Sequence, residues 1–251
     1  MSPRNRTPHR IVRQCLGNRV AHWLVALSTF ALIFSGFGQM PMYARYGLAD
    51  LPKMAWTADY DLQLAIHTIA AIALMTGIAF HLVYALRRRR YDILPRRGDV
   101  KESAQIIAAM LGRGEEPESH KYLAEQRLAY AFIGANLLLV TATGVVKVVK
   151  NLPGITLPGP LVFSVTMVHN LTAMLLVLGV LAHLAAFAFK ANRALLPAMI
   201  SGRVDAAYAR TRHGAWHREV APLESIEGTE LAEDVSSAAD VRDDTPHRAA
   251  V

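Results

Sequence analysis

Four long apolar runs, separated by polar and charged segments, organise this chain. They cover about residues 21–40, 64–86, 128–149 and 162–189, and none contains an aspartate or glutamate. A helix needs about 20 apolar residues to cross a bilayer. A helix in a soluble core rarely runs this far without a polar face. The pattern therefore predicts an all-α fold, a bundle of four transmembrane helices. A shorter helix is expected over 99–111, with Val100, Ala104, Ile107, Ala108 and Leu111 as its apolar positions and Gly112 as its stop. Its expected place is the cytoplasmic membrane surface.

Residues 1–19 carry five arginines before the first run. That resembles the start of a signal peptide, but the apolar stretch after it is too long and no A-x-A site follows. The expectation is an uncleaved first span. Residues 1–19 then form a cytoplasmic N-terminal segment and 20–220 the membrane domain. Residues 221–251, small and acidic, form a disordered cytoplasmic tail.

The apolar runs are interrupted by histidine. His169 and His183 lie 14 residues apart in the fourth run, and His67 and His81 lie 14 apart in the second. At 3.6 residues per turn, such a pair falls within roughly 40° around the helix and is separated by roughly 21 Å along it. Both runs fit H-x3-A-x5-G-x3-H, through Ala71 and Gly77 in one and Ala173 and Gly179 in the other. An intramembrane histidine is costly and has a partner or a task. One such residue is readily explained as a bond to a neighbouring helix or a headgroup contact. A repeated motif with small residues between the histidines points further, to facing helices that hold two stacked planar cofactors. Haem held by pairs of neutral imidazoles is the obvious candidate.

Charge changes the picture by fixing orientation. The net charge is +7, and Lys plus Arg number 5 in residues 1–19, 2 in 41–63, 10 in 87–127, 2 in 147–161 and 8 in 190–251. Basic segments alternate with poor ones, which is the positive-inside pattern rather than a nucleic-acid-binding surface. Both termini and the 87–127 segment are expected in the cytoplasm. On this topology the first helix runs outward and places His22, beside Trp23, at the depth of His81 and His183. Arg87–Arg90 closes the second span as a topology anchor that can also meet haem propionates or anionic membrane lipid. The third span has no histidine; its Asn136, Thr141 and Thr143 are expected to bond between helices. The single cysteine, Cys15, excludes an intrachain disulfide and a four-cysteine cluster, and without C-x-x-C-H any haem is not covalently attached.

With these residues in view, the chain resembles the cytochrome b (gamma) subunit of respiratory formate dehydrogenases, in the wider group that includes the nickel–iron hydrogenase cytochrome b. The resemblance rests on RVAHWLVALSTFALIFSG at 19–36, IHTIAAIAL at 66–74, KYLAEQRLAY at 121–130, LLLVTATGVV at 137–146, VHNLTAMLLVLGVLAHLAAFAFK at 168–190 and RHGAWHREV at 212–220. It implies two b haems, the outer held by His67 and His169 and the inner by His22 and His183. It also implies menaquinone or ubiquinone reduced near the inner haem, in the inner membrane of a bacterium. The implied partners are a periplasm-facing iron–sulfur subunit and a molybdopterin catalytic subunit.

Two features depart from that family. His81 has no expected role there, and internal symmetry alone would pair it with His183 in place of His22. The family's N-x-G-Q before the third helix reads Leu123, Ala124, Glu125, Gln126, so only Gln126 is carried over as a quinone contact. No catalytic residue is assigned; the chain is expected to transfer electrons and not to oxidise formate alone. The alternatives are the cytochrome b of a hydrogenase or of another molybdopterin oxidoreductase, a stand-alone quinol-linked b-type cytochrome, or a membrane scaffold with structural histidines.

Overall fold

The computed structural model describes residues 10–220. The expected acidic tail, 221–251, lies outside them. Four helices are long and apolar enough to cross a membrane: α1 (Leu16–Gly38), α2 (Tyr60–Arg87), α4 (Ala124–Val149) and α5 (Gly159–Ala185), the last continuing as a 3₁₀ turn to Ala188. Between them lies the predicted shorter helix, α3 (Asp99–Met110). The helix starts follow ordinary capping chemistry. The Leu62 amide donates to Asp59 Oδ1 at 3.0 Å ahead of α2. Pro160 stands just inside α5, where its missing N–H costs nothing.

The chain divides into two compact units. One, the span unit, comprises Val20–Val83 and Ala131–Leu184. Its core is a cluster of Leu74, Leu137 and Leu176, packed with Val25, Leu32, Ile78, Ile133, Val140 and Val180, so all four spans contribute. Much of the remaining apolar surface faces outward: Leu27, Ile69, Phe163 and Leu171 are each more than 60% exposed. A water-soluble chain rarely exposes apolar surface on this scale. It is the arrangement of an integral membrane protein, whose outer surface is solvated by lipid. Asn136 Nδ2 bonds within its own helix, to the Phe132 carbonyl at 2.7 Å, while Thr143 reaches a neighbouring helix as expected.

The other, polar unit takes in, among the described residues, 10–19, 84–130 and 185–220. It contains a feature absent from the all-α expectation. Strand β1 (Arg10–Val12) pairs antiparallel with β2 (Arg203–Asp205). Three-residue strands are too short to show a period of two. Gly202 adopts φ 80° before β2. A Cβ there would lie 2.5 Å from the Gln14 carbonyl oxygen, so the turn requires glycine. Two further helices follow, α6 (Ala206–Arg212) and α7 (Gly214–Val220). Asp205 caps α6 by accepting from the Ala207 and Tyr208 amides. The core holds Ile11, Ala198, Val204, Ala206, Ala209 and Trp216.

Helix α3 joins this unit by its less apolar side. Asp99, Ser103 and Ile106 are buried, whereas Val100, Ile107 and Leu111 are 74%, 43% and 63% exposed. Asp99 and Arg127 form a buried two-point ion pair, with N–O distances of 2.6 and 2.9 Å, that ties α3 to α4.

Candidate functional site

The span unit repeats one local construction. Ser35 Oγ lies 3.0 Å from His67 Nδ1 and also donates to the Ala31 carbonyl at 2.7 Å. Thr143 Oγ1 lies 3.0 Å from His169 Nδ1 and donates to the Leu139 carbonyl at 2.8 Å. A hydroxyl has one proton, and here a carbonyl takes it. The oxygen therefore accepts from Nδ1–H of the imidazole. That assigns the tautomer and leaves Nε2 with its lone pair, the form a metal ligand needs.

Glycine follows the hydroxyl residue in each case. A Cβ on Gly36 would lie 3.5 Å from His67 Cε1, and one on Gly144 would lie 3.5 Å from His169 Cε1. A second matched pair sits further along the helices. Gly77 faces Leu24 and Val25, and Gly179 faces Phe132 and Ile133. The α1–α2 and α4–α5 pairs are thus two copies of one hairpin. His67, His169 and Lys147 lie within electrostatic reach of one another. Lys147 is one turn beyond Thr143 on α4.

The other two candidate ligands also meet. The His22 and His183 ring centres are 6.4 Å apart, with ring planes at 58°. A metal–imidazole bond is about 2.0 Å long, so rings separated by this much leave room for one metal ion between them. Trp23 packs edge-on against His22 at 5.5 Å. His81 lies on α2, partly buried.

Gln126 has a local task. Its Oε1 accepts from the Leu123 amide at 3.3 Å, closing the start of α4 as the third helical residue commonly does. Its amide NH2 stays available as a donor. Leu123 is fully buried. Sequence reasoning missed Ser35, although the signal was present as a hydroxyl residue before glycine in both helices that precede the histidine helices. It also missed the polar core around Arg13, Glu125, Arg212 and His213, which forms only through contacts distant in sequence.

Residues 13–202 match the family model described as prokaryotic cytochrome b561. The chain belongs to that family. A cytochrome b561 carries haem b, and the imidazoles above are suited to hold it. Among curated relatives, this cytochrome is 22% identical over 226 residues to the cytochrome b556 subunit of the nitrate-inducible formate dehydrogenase of Escherichia coli K12, covering 88% of this chain and 96% of that one. It is 20% identical over 216 residues to the formate dehydrogenase cytochrome b556 subunit of Haemophilus influenzae, covering 84% and 83%.

Proposed function

We propose that this chain is the membrane cytochrome b subunit of a formate dehydrogenase complex and carries electrons from an outer-face iron–sulfur and molybdopterin partner to a membrane quinone. The observation that carries the reading is the duplicated hydroxyl–histidine pair, which prepares His67 and His169 alike as neutral Nε2 ligands. The relatives' names and the near-complete coverage of their length support the choice of complex. Both termini lie in the cytoplasm on this reading, in the inner membrane of a bacterium, and the arginine distribution supports that orientation.

His67 and His169 hold an outer haem b and His22 and His183 an inner one. Bound haem supplies one-electron redox chemistry. The protein's part is to orient the imidazoles through Ser35 and Thr143, to exclude water with the Leu74–Leu137–Leu176 cluster, and to leave room beside the rings at Gly36 and Gly144. On this reading the Gln126 NH2, not used in the helix start, donates to a quinone carbonyl. Leu123, buried and apolar, takes no part.

Haem content per chain, read from the alkaline pyridine complex, tests this. The purified chain is expected to hold two b haems. His67→Ala and His169→Ala are each expected to hold one, as is His22→Ala, whereas His81→Ala keeps two. Loss of haem from His81→Ala with retention in His22→Ala would move the inner ligand to His81. No haem in a folded, haem-supplied preparation would remove the electron-transfer reading.

A further inference from the structure

The polar unit contains a buried carboxylate, Glu125, in the first turn of α4. Neither carboxylate oxygen of Glu125 has a hydrogen-bond partner in another described residue, and both are shielded from solvent. The same holds for Arg13 Nη1, Tyr208 Oη, Arg212 Nη1 and His213 Nε2. These atoms belong to one neighbourhood. The Tyr208 and His213 rings meet at 5.7 Å, and Arg13 lies 5.2 Å over the Trp216 ring, which itself meets His213 at 6.2 Å. Arg13, Arg212, Glu116 and Glu125 all act electrostatically on Tyr208.

Folded proteins leave few buried polar groups unpaired, and a cluster of them marks internal water. The chemistry here suits water well. Two guanidiniums donate, the carboxylate accepts, and the phenol does both. His213 Nδ1 lies 2.8 Å from the His120 carbonyl, which can only accept, so Nε2 is a bare acceptor. Ion pairing alone does not account for Glu125. Arg212 already pairs with Glu116 at 3.0 Å, and Asp99 holds Arg127. The groups facing Glu125 are Arg212 and Tyr208 from α6, Glu116 from the segment before α4 and Glu102 from α3, with Arg127 on its own helix.

We propose that Glu125 is a proton-exchanging carboxyl in a hydrated pocket formed with Arg13, Tyr208, Arg212 and His213, and that it supplies protons for quinone reduction. The proposal rests on the quinone-linked function above. A quinone takes up two electrons and two protons. The electrons come from the donor that the complex oxidises. Each proton leaves the Glu125 O–H and is replaced by hydronium from the aqueous phase, so the protein returns to its starting state. In the reverse direction, quinol oxidation delivers its protons to the same carboxylate.

The test is stopped-flow reduction of the haem-loaded chain by decylubiquinol from pH 6 to 9, in water and in deuterium oxide. Glu125→Gln is expected to slow reduction at least tenfold and to abolish its pH dependence and solvent isotope effect. Glu125→Asp is expected to restore both, with haem content and reduction by dithionite unchanged throughout. Glu125→Gln indistinguishable from the unaltered chain at every pH overturns the proposal. If that variant fails to retain haem, Tyr208→Phe decides: slowing with a diminished isotope effect supports the proposal, and unchanged kinetics overturn it. An unaltered chain that dithionite reduces but decylubiquinol does not would overturn the quinone reading and the proton proposal with it. Reduction by quinol that is indifferent to Glu125 overturns the proton proposal alone.

Discussion

His169 Nδ1 lies 3.0 Å from Thr143 Oγ1, so a helix without a histidine fixes the tautomer of one on its neighbour. The imidazole donates in that bond, which makes its other nitrogen more basic and a stronger electron donor to iron. Thr143→Val keeps the shape and removes the acceptor. It is expected to raise the midpoint potential of the haem proposed for His67 and His169 and to loosen haem retention by about tenfold. Potentiometric titration and haem loss to a scavenging protein check the two effects. Ser35→Ala is expected to act the same way through His67.

The glycines divide into two kinds. At Gly36 a Cβ would rest at ordinary contact distance from His67, so Gly36→Ala should bind haem normally while Gly36→Leu displaces the ring and loses it. At Gly77 a Cβ would lie 3.0 Å from Val25 Cγ2 and 3.2 Å from Leu24 Cγ. Gly77→Ala is therefore expected to destabilise the helix pair by about 1–2 kcal/mol through overpacking. Thermal melting in detergent, followed by the haem absorbance, separates the two cases.

The Asp99–Arg127 pair predicts an acid limit. The Arg127 bond holds the Asp99 carboxyl below the usual carboxylate range. A depressed acid contributes stability above its unfolded value, about 3.9, and that contribution is lost as pH falls through the lower folded value. Asp99→Asn is expected to cost about 3 kcal/mol at neutral pH by leaving Arg127 buried without its main partner. The variant should also lose less stability than the unaltered chain when acidified below about pH 4. Denaturation midpoints at pH 7 and pH 3 check this.

His213 gives a second pH effect in another window. Burial, reinforced by Arg13, pushes its imidazole down to about 3. The unfolded side chain titrates near 6.5. Below that value the unfolded chain takes up a proton that the folded chain refuses, so stability falls from about pH 6.5 toward pH 3. His213→Gln, which is neutral throughout, should be less stable than the unaltered chain at pH 7. It should also change less between pH 7 and pH 5. Melting temperature against pH reads both.

Much of the span unit was legible because its signals are local. Length, apolarity and the H-x9-G-x3-H spacing need no knowledge of what touches what. The helix starts were less so: hydropathy placed the third span at 128, whereas α4 begins at Ala124. Glu125, Gln126 and Arg127 read as a connection, yet Asp99 and the Leu123 amide hold them in helical form. The apolar positions of α3 were found, and a helix expected on the membrane surface leaves them uncovered by protein, but the inward turn of Asp99 and Ser103 was not found. That choice is made by Arg127, which is distant in sequence. Ser35 escaped notice for the same reason: a serine in an apolar helix becomes informative only once His67 is opposite it.

The pairing of β1 with β2 sets an order of events during synthesis. Arg10–Val12 leaves the ribosome near the start of translation, but its partner Arg203–Asp205 follows the last of the four spans. The waiting strand keeps its edge open until all four spans have been made. Sheet closure is therefore a terminal step of biogenesis. A chain truncated before residue 203 would carry all four spans and still present an unpaired N-terminal edge to quality-control proteases.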